Sequence, residues 1–186
     1  MPENTPYIIS TERLGLRRWI ASDVQPFIEL NTDSDVMKYY PAILSPEETI
    51  AMVDRIDNQF NNRKLGLFAV ELKSTNQFIG YTGFTVPAFI SFFTPCVEIG
   101  WRYHKNHWGN GYATEAAKAC LEYGFENHEL NKIVSFTSEL NHKSIGVMQR
   151  IGMKYRCAFN HPDLPADHEI AKHVLYEIKK EDFVLR

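Results

Sequence analysis

The sequence predicts a mixed α/β fold, a sheet with helices packed against it. Three observations carry that expectation. Short apolar runs with strand-like alternation exchange along the chain with segments of helical periodicity. The helical segments open on residues that cap helices. Between the runs stand short Gly, Pro, Asn and Ser turns rather than long linkers. With 186 residues, a single domain over 1–186 is expected, large enough to bury a core without disulfide or metal.

Each element has its reason. Residues 13–20 (RLGLRRWI) read as a first strand, partly alternating. Ser22 and Gln25 have capping-box spacing, ahead of a helix that carries Phe27 and Leu30. Ser45, Pro46 and Glu48 mark a stronger helix start, followed by Ile50, Val53, Ile56 and Phe60 on one side. Strands follow at 67–72 and 78–86 across the turn Ser74-Thr75-Asn76. Phe89, Ile90, Phe92 and Phe93 fall in a Pro-bounded apolar loop. In the strand 96–103, alternation puts Val97, Ile99, Trp101 and Tyr103 on one face and Glu98, Gly100 and Arg102 on the other.

The clearest helix starts at Ala113, where Ala113, Ala116, Ala117, Cys120, Leu121 and Gly124 repeat at helical spacing. Residues 132–137 form a strand, Asn141 caps a short helix, and Gly152 ends it. Residues 153–159 and 173–179 make a last strand pair around a polar loop. The predicted order is β α α β β β α β α β β.

Composition narrows the function. Lys plus Arg number 20 against 23 Asp plus Glu, a net charge of −3, so no basic footprint for nucleic acid exists. Three cysteines without a CxxC pair indicate neither a disulfide framework nor a zinc ribbon. The opening MPENTPYIIS lacks a secretory leader's basic and apolar regions, so a reducing cytoplasm is expected. Residues 74–97 carry no charge, but their glycines, prolines and threonines read as strand, turn and loop, not as a membrane span. The seven histidines offer no ligand spacing, and no metal is expected.

The chemistry concentrates after strand 96–103, where Trp108-Gly109-Asn110-Gly111-Tyr112-Ala113-Thr114 opens a helix. Glycines at a helix start let a ligand approach the backbone, and the free N–H groups favour an anion such as a pyrophosphate. A tight turn that merely needs two glycines is the other reading. No Gly-Lys-Ser/Thr follows, so this is no P-loop, and the third glycine of a dinucleotide fingerprint is missing.

The run EIGWRYHKNHWGNGYATEAAKACLEYGF, followed by NKIVSFTSELNHKSIGVMQRIGMKY, resembles the core of the GNAT superfamily of acetyl-CoA-dependent N-acetyltransferases. The opening TERLGLRRW and the Trp-Gly-x-Gly-Tyr-Ala-Thr-Glu-Ala loop resemble the branch of ribosomal-protein N-terminal acetyltransferases, over a core of about 11–183. The resemblance implies a mixed, mostly antiparallel sheet of about seven strands, splayed in the middle and flanked by about four helices. It implies acetyl-CoA as co-substrate and an amine acceptor, either a protein or peptide N-terminus or a small molecule. No direct contact with nucleic acid or membrane is expected, and either a monomer or a homodimer is expected.

By the same resemblance, the amides of Gly109, Gly111, Ala113 and Thr114 hold the pyrophosphate, within a loop completed by Trp108, Asn110 and Tyr112. The strand backbone at Ile99, Gly100 and Trp101 pairs with the pantetheine arm, as an added strand pairs with an edge. Asn141, Ser144 and Met148 fall on the family's second cofactor-binding stretch. Met148 stands where the family often places a tyrosine that protonates the departing thiolate, so Ser144 is left to donate a hydrogen bond to sulfur. Glu98 is the candidate base, because the attacking amine must lose a proton; an ion pair with Arg102 on the same strand face is its bland alternative. His161, His168 and His173 either line the acceptor pocket or are loop surface. A non-catalytic acyl-CoA-binding module is the competing function.

Overall fold

A computed structural model describes residues 6–183. The first five residues of the segment read as lacking a leader lie outside that range. Eight strands form one sheet in the order β1-β2-β3-β4-β5-β6-β8-β7. The strands are β1 Ile9–Ser10, β2 Leu14–Arg17, β3 Leu67–Leu72, β4 Gln77–Thr85, β5 Glu98–Tyr103, β6 Lys132–Ser138, β7 Lys154–Asn160 and β8 Lys172–Lys179. The helices are α1 Val24–Thr32, α2 Ser34–Met37, α3 Pro46–Arg63, α4 Tyr112–Asn127 and α5 His142–Arg150.

The mixed, mostly antiparallel sheet is therefore as expected, with one more strand and one more helix. Those extra elements, β1 and α2, have two and four residues, too short to leave a periodic signal. All neighbouring strands run antiparallel except β5 and β6. That parallel pair meets at a single register position, Glu98 opposite Val134, reinforced by the Val134 N–H donating to the Val97 carbonyl at 3.0 Å. Beyond it the two strands diverge, and this splay opens the sheet at its centre.

Helices cover both faces. Phe84 and Tyr81 on β4 point to opposite sides of the sheet, as odd and even strand positions must. Gly124 of α4 sits so close over Phe84 that an added Cβ would come within 2.8 Å of its ring. On the other face, the Tyr81 ring centre lies 5.8 Å from that of Phe27 in α1. β4 is buried from Phe78 to Phe84, which is why its sequence is apolar on both faces. Nine residues of the charge-free 74–97 stretch are this strand, and no helix of the described residues is long and apolar enough to cross a membrane.

The α3 start forms as read: Ser45 Oγ accepts the Glu48 N–H at 3.1 Å, and Glu48 Oε2 accepts the Ser45 N–H at 2.7 Å. The first helix corrects the sequence reading. No Ser22–Gln25 box appears among the described hydrogen bonds. Asp23 instead accepts the Ile20 N–H at 3.0 Å and binds Arg17 through both carboxylate oxygens. A buried arginine draws in the nearest carboxylate, which outweighs a local capping preference between neutral side chains.

Candidate active site

Three backbone features converge on the splay: the end of β5, the loop that opens α4, and the turn from β6 into α5. A cleft of about 1360 Å³ follows the divergence of β5 and β6. It runs from Gly109, Gly111 and the α4 start, past Glu98, Ser135 and Ser144, to Tyr39, Tyr40, Phe136, His161 and His173.

The loop before α4 has a conformation that requires its glycines. Gly109 and Gly111 have φ of +81° and +82°, where a Cβ is strained. A Cβ on Gly109 would meet nothing within 4 Å, so backbone conformation and not crowding demands glycine. No side chain caps α4. The Glu115 N–H returns to the Gly111 carbonyl at 3.0 Å, and the first-turn N–H groups ahead of it face the cleft end, where the helix dipole favours an anion.

A carboxylate in that first turn would oppose an anion, but Glu115 is fully engaged. It accepts from Thr11 Oγ1 at 2.5 Å, the Arg13 N–H at 3.1 Å and Arg13 Nε at 2.7 Å. Burial works to raise its carboxyl, yet the Thr11 and Arg13 bonds hold it below the usual range. Arg13 also donates to the Asn110 carbonyl at 3.0 Å and stacks on Tyr112 at 4.7 Å. The turn leading into β2 thereby braces the loop. Two more cations border it: Lys143 Nζ sits 4.0 Å from the Trp108 ring centre, and Arg150 Nε donates to Thr114 Oγ1 at 3.2 Å.

Strand parity decides which backbone groups of β5 are open. The Val97 carbonyl points to β6, so odd-numbered residues turn their polar groups that way and even-numbered ones turn to β4. Past the single β5–β6 pair, the Ile99 carbonyl and the N–H and carbonyl of Trp101 therefore face the gap. Gly100 pairs with Gly83 of β4; its contribution is space, since an added Cβ would meet nothing within 4 Å.

Glu98 stands where the splay begins. Thr85 Oγ1 donates to its Oε2 at 3.0 Å. Burial pushes its carboxyl up to about 7, and the Thr85 bond works in the opposite direction. Glu98 forms none of the ion pairs seen among the described residues, so the pairing with Arg102 is not made. Across the gap, Asn141 caps α5 by accepting the Ser144 N–H at 3.3 Å and donates through Nδ2 to Thr137 Oγ1 at 3.0 Å. Ser144 is half-buried and lines the cleft.

Of the residues singled out from sequence, the cleft gathers Glu98, Gly100, Trp101, Trp108, Gly109, Gly111, Tyr112, Ala113, Thr114, Asn141 and Ser144. Three stand apart from its lining. Met148 is fully buried in the core. Ile99 has a fully buried side chain and offers only its backbone. Asn110 is exposed and donates to the His107 and Trp108 carbonyls, both at 3.2 Å, which shapes the loop.

His161 and His173 line the cleft, with ring centres 5.0 Å apart, and burial lowers the pKa of both. His168 instead accepts the Ile170 N–H at 3.3 Å in its own turn. Sequence reasoning missed Tyr39, Tyr40, Phe136 and the cleft position of Arg102. Phe136 had the only usable signal, a large apolar residue on the strand parallel to Glu98's. Among the described residues no group of three His, Cys, Asp or Glu is placed to hold a metal. Burial, with Glu98 adding to it, pushes the Cys96 thiol up to about 11, which disfavours a thiolate nucleophile.

Comparison with known proteins agrees with this architecture. The family described as acetyltransferase (GNAT) domain matches residues 13–154. The chain is 41% identical over 148 residues to the uncharacterized protein YkkB of Bacillus subtilis, covering 78% of this chain and 84% of that one. It is 34% identical over 176 residues to the uncharacterized N-acetyltransferase YnaD of the same organism, covering 94% and 98%. A GNAT-family acetyltransferase structure from Bacillus anthracis superposes with a TM-score of 0.77 at 32% identity, covering 93% and 98%. The chain belongs to the GNAT family of N-acetyltransferases.

Proposed function

We propose that this chain, acting as one domain, moves an acetyl group from acetyl-CoA to a primary amine by direct attack within a ternary complex. The acceptor class is the α-amine of a protein or peptide, with a small-molecule amine as the second class. The observation that carries this reading is the position of Glu98. It is a carboxylate raised by burial, at the head of a sheet splay that joins an anion-binding helix start to a lined pocket.

The residues fit the co-substrate. Unfilled space beside Gly100 and Gly109 and uncapped amides at the α4 start suit a long thioester ending in phosphates. Acetyl-CoA supplies the activated acetyl group. The amides of Gly109, Gly111, Ala113 and Thr114 bind its pyrophosphate, with Lys143 and Arg150 adding positive charge. The Ile99 carbonyl and Trp101 backbone hold the amide-bearing arm along β5. Of Gly100 and Trp101, only Trp101 turns its N–H to the gap, so that group polarises the thioester carbonyl.

An amine arrives as an ammonium ion, and Glu98 takes its proton, directly or through a water. A carboxylate near 7 suits the task, being basic enough to accept and still ionised at neutral pH. Ser144 donates a hydrogen bond to the departing sulfur, and the thiolate takes up the second proton that the nitrogen sheds as the C–S bond breaks and the amide forms. A thiol of pKa about 8.5 leaves tolerably as thiolate at neutral pH, so the absence of a tyrosine at Met148 does not block the step. The cysteine thiols take no part.

Met148 also favours a second reading, an acyl-CoA-binding module without turnover. Calorimetry with coenzyme A, combined with thiol release from acetyl-CoA across amines and peptides, separates the two. Turnover that drops in Glu98→Gln with coenzyme A affinity retained supports transfer; binding without turnover on any acceptor supports the module.

A further inference from the structure

Arg102 is 7% exposed and lines the acceptor end of the cleft. It belongs to none of the ion pairs among the described residues. Its guanidinium donates to the Asn31 side-chain oxygen, a neutral partner. The Tyr40 ring centre lies 3.9 Å from its Cζ and the Tyr81 ring centre 5.4 Å. Its Nε is buried with no acceptor at all. A buried cation normally carries an anion or a full set of acceptors, because desolvation is otherwise uncompensated. Here the missing counter-charge coincides with a ligand pocket.

Arg102 shares its strand face with Glu98, four residues earlier, about 13 Å along the strand. Gly100 lies between them, and no atom occupies the space where its Cβ would be. The floor of the cleft therefore has a basic end, an open middle and an acidic end. A substrate amine belongs at Glu98, and a negative group on the same molecule belongs at Arg102.

We propose that the acceptor is an amine that also carries a carboxylate, bound by Arg102. This rests on the acetyl-transfer reading and specifies its substrate class. Arg102 selects the acceptor and takes no part in proton transfer. The carboxylate comes either from the side chain of a free acidic amino acid or from an acidic side chain near a peptide's N-terminus, since an α-carboxylate lies too close to its own amine to reach from Glu98 to Arg102.

The test compares acid with amide in two arms. In the first, free aspartate and glutamate are set against asparagine and glutamine. In the second, short peptides with Asp or Glu at the second position are set against Asn or Gln there. Thiol release gives kcat and KM for wild type, Arg102→Lys and Arg102→Gln, with coenzyme A binding as the check of folding.

The acid is expected to win in one arm by about 10- to 100-fold in kcat/KM, carried by KM. The winning arm identifies the source of the carboxylate. Arg102→Gln should abolish the preference, and Arg102→Lys should keep part of it. A brace that merely ties Asn31 to the sheet would lower acid and amide alike. No acid preference in wild-type protein, or one that survives Arg102→Gln, overturns the inference and leaves acetyl transfer standing. If Arg102→Gln does not fold, the wild-type ratio and Arg102→Lys decide. No release with any amine removes the transfer reading itself.

Discussion

Arg17 on β2 and Arg102 on β5 are both nearly inaccessible, at 3% and 7% exposure, yet their surroundings differ in kind. Arg17 meets Asp23 in a two-pronged contact at 2.7 and 3.0 Å and Glu71 at 2.9 and 3.0 Å. Glu71 in turn accepts from the Tyr7 hydroxyl at 2.5 Å. Around Arg102 stand an amide and two aromatic rings, and the carboxylate on its own strand, Glu98, bonds to Thr85 instead. Both regions bury charge. Near the sheet edge the opposite charges meet one another and pin β2, β3 and the start of α1 together. At the splay they are kept apart, facing a space large enough for a ligand. Unpaired buried charge is costly, and perturbed groups of this sort gather at functional sites.

The sharpest way to break the comparison is to remove one charge from each region. Glu98→Gln should lower kcat by about 10²- to 10⁴-fold and leave coenzyme A affinity within a few-fold in calorimetry. An unaltered kcat would end the case for Glu98 as base. Arg17→Leu should do the reverse. It strands Asp23 and Glu71 in the interior and should cost about 3–5 kcal/mol of stability, read by denaturant unfolding, with kcat per folded molecule retained.

Met148→Tyr asks whether an acid can be restored at the splay. Met148 is enclosed in the core, so the larger ring should destabilise the fold by about 1–3 kcal/mol and yield no gain in kcat. A rate increase would mean that the site opens to the cleft.

A pH dependence with opposite signs for activity and stability should accompany these effects. Glu98 has its folded pKa raised from 4.5 to about 7. The folded state thus holds this proton more tightly than the unfolded chain does. Its favourable contribution is complete below about 4.5 and fades as pH climbs through 7. Wild-type protein should accordingly lose stability relative to Glu98→Gln over that window, while kcat rises as the carboxylate ionises. Parallel melting profiles for the two proteins would show that burial does not perturb Glu98.

Periodicity and turn chemistry sufficed for most of the architecture. The capping box at Ser45, the alanine stripe of α4 and the Asn141 cap are local devices, and their spacing survives in the sequence. The glycine loop was readable for the same reason, because a positive φ leaves its mark as a residue type. The Ser22–Gln25 box was misread because Arg17, which draws Asp23 into that turn, lies outside any capping window. Tyr39 and Tyr40 had no readable signal, since they reach the cleft only through the path of the segment after α2. The histidines divided for a similar cause. Where the chain folds back before β8 decides that His161 and His173 face the cleft and His168 does not.

The sequence by itself determined the order of the longer elements, the glycine loop before α4 and a carboxylate on the polar face of β5, since each is written over a few neighbouring residues. Only the tertiary structure decided that β5 and β6 part after one register position. The same long-range packing kept Glu98 and Arg102 on one strand without pairing them and sent Met148 into the core. Hydrogen-bond periodicity is a property of adjacent residues. Desolvation and counter-charge depend on what the rest of the chain brings within a few ångströms.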